Sequence, residues 1–407
     1  MSKVDNPPSY TEHNKGVTFL IPALNEEESI EYTINLCKNF SSNYPEIPCE
    51  ILICDNNSAD NTVLVAKKIG CNVVIEKNKG YGSNIINGIK NSKYNNIIFG
   101  DADGSYDFSD SKNFYDLLST NVDLVMGNRF SKIENYKMEK NAMPFLHKYL
   151  GNPVLSFIAR FMFQIKVTDF HCGLRALKKK SFKNGEVFLC KGMEFATEVV
   201  VVASKLGLKI SEVPTKLFVD KRRKTRPHLN TWKDGWRHLK FILAMSQSKI
   251  FTNLGIAFLL TNLGFHFFFL TREVFDINFL TNLSLVTSLF FNALSYIGLN
   301  LIILSIFLSE TIKNNYNISF NEGDLVQKNL IEINSDTYFL LAGVSGIAIF
   351  YVAYYLFSLW KMSAYIFLDL TSTKVILNIV IFSQLIPLFL FFIKMGFITY
   401  TIKINQK

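Results

Sequence analysis

Short apolar runs alternate with stretches of helical periodicity over the first part of the chain. The pattern predicts strands at residues 17–22, 49–55, 72–76, 96–101 and 122–127. Between the strands it predicts a helix that ends at Asn39 and further helices at residues 61–70, 82–91 and 108–119. Strands that alternate with helices are typical of a mostly parallel sheet with crossover connections. The sequence therefore predicts an α/β domain, which we place at residues 16–229.

From residue 250 onward the chain consists of long uncharged runs rich in Phe, Leu and Ile. A helix needs about 20 apolar residues to cross a bilayer. Runs of this kind cover residues 251–271, 285–308, 338–360 and 375–399, which predicts an all-α transmembrane domain of about four helices at 250–407. His266 is the main ionisable residue within them. Their low charge favours an anchor, or a platform for a lipid substrate, over a transport pathway.

Cationic side chains concentrate directly before the first apolar run, between Lys216 and Lys249. Positive residues beside a span favour the cytoplasmic side of a membrane. We therefore expect a multi-pass integral membrane protein whose α/β domain is cytoplasmic. A formal net charge of +9 would also suit a nucleic-acid-binding protein. Because the charge lies next to a span, the lipid bilayer is the expected partner and nucleic acid is not.

The stretch TWKDGWRHLKFILAM at residues 231–245 has the pattern of an amphipathic helix. Trp232, Trp236, Leu239 and Leu243 recur at helical spacing. Such a helix can lie in the bilayer interface, with tryptophans at headgroup depth and cations toward anionic lipid. An ordinary surface helix has the same pattern. Because the stretch adjoins a predicted span, we favour an interfacial helix at residues 230–249.

The beginning of the chain and its cysteines add two expectations. Residues 1–15 are polar, contain Pro7 and Pro8 and lack the apolar core of a secretion signal, so a flexible tail is predicted there. The six cysteines all precede the membrane region and form no C-x-x-C pair. Free thiols in a reducing cytosol are therefore expected.

Polar side chains follow three of the predicted strands, at Pro22 to Glu26, Asp55 to Asp60 and Asp101 to Asp103. In sheets of this kind, ligands bind at the carboxyl ends of the strands. We therefore expect the three segments to form one site. PALNEEE follows the first strand in place of G-x-G-x-x-G, and the sequence has no Walker A loop. Both observations disfavour an NAD site or a P-loop.

Asp101 and Asp103 flank Ala102 at the end of an apolar run. An isolated D-x-D pair is most often a turn, since aspartate bonds local backbone N–H groups. This pair instead ends a strand at the expected ligand edge. Carboxylate oxygens suit Mg²⁺ or Mn²⁺, and Mg²⁺ commonly bridges one or two carboxylates to substrate phosphates. The sequence therefore predicts a divalent metal held by Asp101 and Asp103.

Seven motifs in a fixed order resemble those of the GT-A glycosyltransferases of family 2. They are PALNEEESI, CDNNSADNT, GYGSNIINGI, GDADGSYDF, DLVMGNRF, VTDFHCGLRAL and GMEFATE. More closely, the chain is similar to the polyprenyl- and dolichol-phosphate sugar synthases, over about residues 16–249. The resemblance implies a GT-A fold with a Rossmann-like, mostly parallel sheet. It also implies a nucleotide-sugar donor of the UDP-glucose or GDP-mannose type, a polyprenyl (dolichyl or undecaprenyl) phosphate acceptor, and Mg²⁺ or Mn²⁺.

The resemblance assigns roles to individual residues. The nucleotide base and ribose would be held by Pro22, Ala23, Leu24, Glu26, Asp55 and Asn56. Asp101, Ala102 and Asp103 would contact the diphosphate, the two aspartates through the metal. The catalytic and phosphate-contacting residues would be Asp169 on the acceptor side, Arg129 and Arg175. Arg129 would share the acceptor phosphate with a loop that precedes the membrane helix, closes over the site and carries Arg222, Arg223 and Arg226.

Two positions depart from the mannose-type pattern of this family. Many such members have two adjacent aspartates where this chain has Asp55-Asn56, and a glutamine where it has Ser105. These departures leave open the third metal ligand and the donor sugar. The stretch DKRRKTRPHLNTWKDGWRHLKF looks more like the bacterial glucose-synthase-like branch.

The chemistry of these residues fits sugar transfer to a phosphate. A lipid phosphate is already an anion, so the main tasks are to position it and to neutralise the leaving diphosphate. Direct displacement would invert the anomeric configuration. One alternative is a processive family 2 synthase, although the Q-x-x-R-W motif of that class is absent from the sequence. Another is a non-catalytic membrane or lipid-carrier protein, which the intact Asp101/Asp103 pair disfavours.

Several of these residues also have structural interpretations. Asp169 could cap a turn, Arg175 could form a structural ion pair, and His171 could be a packing or hydrogen-bonding histidine. Glu194 and Glu198 lie one turn apart on one face of a predicted helix, where one of them could face the site or the face could simply be solvated. The cations from Lys221 to Arg226 could hold anionic lipid headgroups.

Overall fold

The computed structural model describes residues 15–222, 231–245, 249–275, 285–316, 329–330, 333–362, 381 and 384–398. The predicted tail at residues 1–15 lies outside these ranges except for Lys15. The chain forms two compact units, Met1–Met245 and Ser246–Lys407.

The first unit contains one seven-stranded sheet within its described residues. Its strands are β1 (Val17–Ala23), β2 (Cys49–Asp55), β3 (Asn72–Ile75), β4 (Asn96–Phe99), β5 (Leu124–Asn128), β6 (Arg175–Lys178) and β7 (Ile210–Pro214). Its helices are α1 (Ile30–Asn43), α2 (Thr62–Lys68), α3 (Tyr81–Asn91), α4 (Lys112–Leu118), α5 (Asn152–Phe163), α6 (Phe195–Lys205) and α7 (Thr231–Met245). The five strands predicted from the apolar runs are all present, and the predicted α/β class is confirmed.

The strand order is β3-β2-β1-β4-β6-β5-β7. Neighbouring strands are parallel except that β6 runs antiparallel to both β4 and β5. The short β6 and β7 were not predicted, because neither has a long apolar run. The antiparallel β6 makes the sheet mixed, which is the arrangement of a GT-A-like domain.

The register of the central strands brings their polar ends together. Ala23 pairs with Asp55 across β1 and β2, and Leu20 pairs with Phe99 across β1 and β4. Beneath these ends, the ring of Phe19 contacts Phe40 and Phe108 edge to face, at centroid distances of 5.1 and 6.0 Å. Such pairs add about 0.5–1.5 kcal/mol beyond the area they bury. A rigid apolar base therefore supports the loops at the carboxyl edge.

The second unit is helical in its described residues, with α8 (Lys249–Phe275), α9 (Leu285–Tyr316), α10 (Ser335–Met362) and α11 (Gln384–Ile398). Among them, α8, α9 and α10 are long and apolar enough to cross a membrane. They overlap the first three predicted spans, which stay predictions. The fourth predicted span, 375–399, is described at residue 381 and over the shorter α11, so it stays a prediction.

Helices α8 and α9 pack closely where two glycines face each other. A Cβ on Gly255 would lie 2.6 Å from the carbonyl oxygen of Gly298, and a Cβ on Gly298 would lie 2.7 Å from that of Gly255. The Thr252 and Ser305 hydroxyls share a hydrogen bond of 2.7 Å across the same pair of helices. Small residues allow such close backbone approach within membranes.

Candidate functional site

The turn after β1 and the loop after β2 are held together by side-chain hydrogen bonds. The Asn25 N–H donates to Ser58 Oγ at 2.8 Å, and Asn25 Oδ1 accepts from the Ala59 N–H at 2.8 Å. Asn25 and Asn57 adopt positive φ values of 55° and 65°, which asparagine tolerates because its side chain bonds locally. The two segments predicted to hold a nucleotide thus form one rigid structure.

Asp55 and Asn56 are both buried at the centre of this structure. Asp55 accepts two hydrogen bonds from Ser58, one from its N–H and one from its hydroxyl. Asn56 Nδ2 donates to the carbonyls of Glu76 and Asn78, and its Oδ1 accepts from the Gly80 N–H. The described contacts of both side chains therefore organise the loops, and direct contact with a nucleotide stays a prediction.

Asp101 and Asp103 follow β4, as expected. Asp103 Oδ1 accepts from the Ser105 N–H at 3.0 Å, and the Thr33 hydroxyl donates to the Ala102 carbonyl at 2.9 Å. The backbone of Gly173 passes so close that a Cβ there would lie 2.4 Å from Asp101 Oδ2. The D-x-D segment is therefore fixed from both sides.

The electrostatics of this segment favour a bound cation. Burial, together with the nearby Asp103 carboxylate, raises the pKa of Asp101 to about 7. Burial also raises the pKa of Glu26 to about 7, although the Arg222 guanidinium opposes that shift. Closely spaced, desolvated carboxylates repel one another, and a divalent cation would relieve that repulsion.

The two aspartates suit a metal that takes its other ligands from the substrate. Within the described ranges, no group of three His, Cys, Asp or Glu side chains is arranged to hold a metal by itself. Mg²⁺ in particular uses one or two carboxylates with phosphate and water oxygens. The pair therefore fits a metal–diphosphate complex, and the third ligand stays open.

Arg222 lies directly against the acidic residues. Its guanidinium donates to Glu26 Oε1 and Asp103 Oδ2, each at 3.1 Å, and also pairs with Asp220. The Lys221 N–H donates to the Asp103 carbonyl at 2.9 Å, which brings the chain before residue 223 alongside the D-x-D segment. Arg223 and Arg226 lie outside the described residues.

Arg129 and Asp169 form a buried bidentate pair. Arg129 Nε donates to Asp169 Oδ2 at 2.7 Å, and Arg129 Nη2 donates to Asp169 Oδ1 at 2.8 Å. Asp169 is completely buried and also accepts from the backbone N–H groups of Arg129 and His171. These contacts make Asp169 the partner that orients Arg129, while direct action of Asp169 on a substrate stays a prediction.

Arg175 is buried at the start of β6, and its contacts are structural. Its Nε, Nη1 and Nη2 donate to the carbonyls of Cys172, Ala196 and Phe170, respectively. The side chain therefore joins the 170–172 loop to the beginning of α6. The structural ion pair considered as an alternative for Arg175 is not among these contacts, and a contact with phosphate stays a prediction.

An exposed apolar surface that was not predicted from the sequence lies on and before α5. Phe145, Tyr149, Phe157 and Phe161 are between 61% and 76% exposed, and α5 packs against α7. On α7, Trp232 and Trp236 are exposed at 77% and 57%. The helical spacing of the aromatic residues between 145 and 161 was the available signal.

Residues 18–185 match the model of the family described as Glycosyl transferase family 2. A UDP-N-acetylglucosamine–dolichyl-phosphate N-acetylglucosaminyltransferase from Methanococcus voltae is 34% identical over 226 residues, which cover 50% of this chain and 86% of that protein. The low-salt glycan biosynthesis hexosyltransferase Agl6 of Haloferax volcanii is 29% identical over 242 residues, which cover 59% of this chain and 56% of Agl6. The chain therefore spans only about half the length of Agl6. The present chain belongs to glycosyltransferase family 2.

Solved structures of glucosyl-3-phosphoglycerate synthase from Mycobacterium tuberculosis are also similar. One, a complex with Mn²⁺, UDP and glucosyl-3-phosphoglycerate, has 18% sequence identity and a TM-score of 0.45, and covers 59% of this chain and 86% of that one.

Proposed function

We propose that this protein transfers a hexose from a nucleotide sugar to polyprenyl phosphate, with inversion, at the cytoplasmic surface of a membrane. The observation that carries the proposal is the convergence of Asp101, Asp103, Arg129 and Arg222 at one edge of the sheet. Carboxylates that suit a metal–diphosphate complex lie there beside guanidinium groups, which bind phosphate oxygens in a bidentate manner. The Methanococcus voltae relative, which is named for transfer to dolichyl phosphate, supports the same acceptor.

The donor side of the reaction uses the loops after β1, β2 and β4. The rigid 23–29 and 55–62 segments hold the nucleoside, and Asp101 and Asp103 face its diphosphate. Mg²⁺ or Mn²⁺ held by these carboxylates would act as a Lewis acid that stabilises the leaving diphosphate. Arg222, already 3.1 Å from Asp103 Oδ2, adds a positive charge at the same place.

The acceptor side uses the Arg129–Asp169 pair. Asp169 engages two of the five side-chain N–H groups that a guanidinium carries, and this contact fixes its plane. The remaining donors hold the acceptor phosphate in line with the anomeric carbon. The phosphate attacks as an anion, so no side chain has to remove a proton from it.

The membrane side of the domain is formed by the exposed aromatic residues of α5 and α7. We place these residues in the bilayer interface, where tryptophan and tyrosine are stable and where a polyprenyl phosphate presents its headgroup. The cations near the first span favour the cytoplasmic face.

The test is a transfer assay on membranes that contain the full chain. Labelled UDP-glucose, UDP-N-acetylglucosamine and GDP-mannose are each offered with polyprenyl phosphate and Mg²⁺ or Mn²⁺. We expect an organic-soluble, acid-labile labelled lipid from one donor, abolished in Asp103→Asn and retained in the exposed control Asp116→Asn. Labelled polymer would instead indicate a processive synthase, and transfer that persists in Asp103→Asn would refute the metal assignment.

A further inference from the structure

The partly buried His171 and the buried Thr197 and His238 connect α7 to the loop that holds Asp169. The Thr197 hydroxyl, in the first turn of α6, lies 2.8 Å from Nδ1 of His238 on α7 and 3.3 Å from Nε2 of His171. The two imidazole rings meet edge to face at 4.7 Å. Thr197 is completely buried and His238 is 7% exposed. We call these three side chains the His–Thr–His chain.

Burial favours the neutral form of both imidazole rings. Burial lowers the pKa of His238 to about 4, partly opposed by Asp234 and Glu194 and reinforced by Arg175 and Arg237. Burial also lowers the pKa of His171, with His238, Arg175 and Arg129 nearby. A hydroxyl can donate to one neutral ring and accept from the other, so Thr197 satisfies both contacts at once.

The loop from Asp169 to Gly173 contacts both sides of the site. Its first residue, Asp169, orients Arg129, and the backbone of Gly173 packs against Asp101. The Gly173 N–H is held by the Tyr106 hydroxyl at 2.9 Å. Between these two contacts, the loop is held by the His171 side chain, which contacts the Thr197 hydroxyl. Nδ1 of His171 is buried and has no hydrogen-bond partner in the part of the chain that the structure describes.

We propose that the His–Thr–His chain positions the Asp169–Gly173 loop, and with it Arg129, for the acceptor phosphate, according to how α7 is placed. Thr197, His171 and His238 are positioning residues in this proposal, because they act through Asp169 and Arg129. α7 also carries the exposed Trp232 and Trp236. When α7 binds a lipid surface, the His–Thr–His chain therefore couples the position of α7 to that of Arg129 on the acceptor side. The inference rests on the proposed transfer to polyprenyl phosphate.

The experiment compares two substitutions that differ by one hydroxyl. Thr197→Val keeps the shape of the side chain and removes both hydrogen bonds, whereas Thr197→Ser keeps the hydroxyl. Steady-state kinetics are measured on the full chain in liposomes, with polyprenyl phosphate and the nucleotide sugar varied separately. Thr252→Val, which removes a buried hydroxyl from α8, is the matched control.

Thr197→Val should raise KM for polyprenyl phosphate by about tenfold, because small misplacements of a binding group are costly. KM for the donor should change less than about twofold, and Thr197→Ser and Thr252→Val should behave like the wild type. His238→Ala should have the same effect as Thr197→Val, and the double variant should be no worse than either, since coupled residues are not additive.

Equal effects on both substrates, or fully additive effects in the double variant, would overturn the inference while leaving the proposed function intact. A wild-type protein that transfers no sugar to polyprenyl phosphate would instead refute the proposed function, and the inference with it.

Discussion

The buried pair between Arg129 and Asp169 makes Asp169→Asn the most informative single substitution. Four hydrogen bonds converge on the carboxylate, two from the guanidinium at 2.7 and 2.8 Å and two from backbone N–H groups at 3.2 and 3.3 Å. An asparagine keeps one side-chain oxygen, but its NH₂ group would face an N–H donor and could not accept its hydrogen bond. It would also leave the charge of Arg129 buried without its counter-ion.

Removing one partner of a buried ion pair destabilises a protein by about 3–5 kcal/mol. For a domain of roughly 150–250 residues, this corresponds to a fall in melting temperature of about 6–20 °C. The assay is thermal unfolding of the full chain in detergent, read from intrinsic fluorescence. Asp116→Asn is the control, because the Lys112–Asp116 pair is solvent-exposed and such pairs contribute less than about 1 kcal/mol.

The reasoning would be refuted by an Asp169→Asn variant that has the melting temperature of the wild type but transfers no sugar. The carboxylate would then act on a substrate directly, as the resemblance suggests, and its contacts with Arg129 would contribute little to stability.

Three further perturbations test other parts of the structure. Gly173→Ala would place a Cβ 2.4 Å from Asp101 Oδ2 and displace that carboxylate. Mn²⁺-dependent nucleotide binding, measured by calorimetry, should therefore weaken by about tenfold or more. Gly343→Ala, which has open space around it, should bind as the wild type does. His238 has a lowered folded-state pKa of about 4, so the unfolded chain takes up the proton first. The free energy of unfolding linked to this ring is therefore fully present above about pH 6.5 and is lost toward pH 4, by roughly 1.4 kcal/mol per pH unit. In thermal melts, the melting temperature of His238→Asn should fall less steeply with decreasing pH than that of the wild type. An unchanged slope would contradict the lowered pKa. Gly255→Leu would force α8 away from Gly298 and should lower the melting temperature by several degrees, while unchanged melting would show that the helices separate without cost.

The fold was largely predictable because most of its strands are visible in the sequence as short apolar runs. β1, β2 and β4 are short apolar runs, and all residues of β1 are buried. β6 was missed because it begins with Arg175, a charged residue that is buried only because three carbonyls surround its guanidinium. Periodicity cannot detect a strand of that kind.

The site was predictable in its acidic part and less so in its basic part. Asp101 and Asp103 end a strand, so the sheet itself determines where they lie. The partners of Arg129 and Arg222 depend on pairings such as Arg222 with Glu26 across 196 positions of sequence, for which no local pattern exists. The His–Thr–His chain is equally hidden, because its three members come from a loop and two separate helices.

The same ion pair has a consequence for how this architecture can vary. Arg129 directly follows β5, and Asp169 precedes β6 by a few residues. The ion pair therefore holds together the two ends of the β5–β6 connection, residues 130–168, which contains α5. A connection held in this way can be lengthened or exchanged at modest entropic cost, since its ends stay in register with the sheet. We therefore expect that this segment can be exchanged between family 2 glycosyltransferases without loss of the fold, which thermal unfolding of the exchanged protein would check.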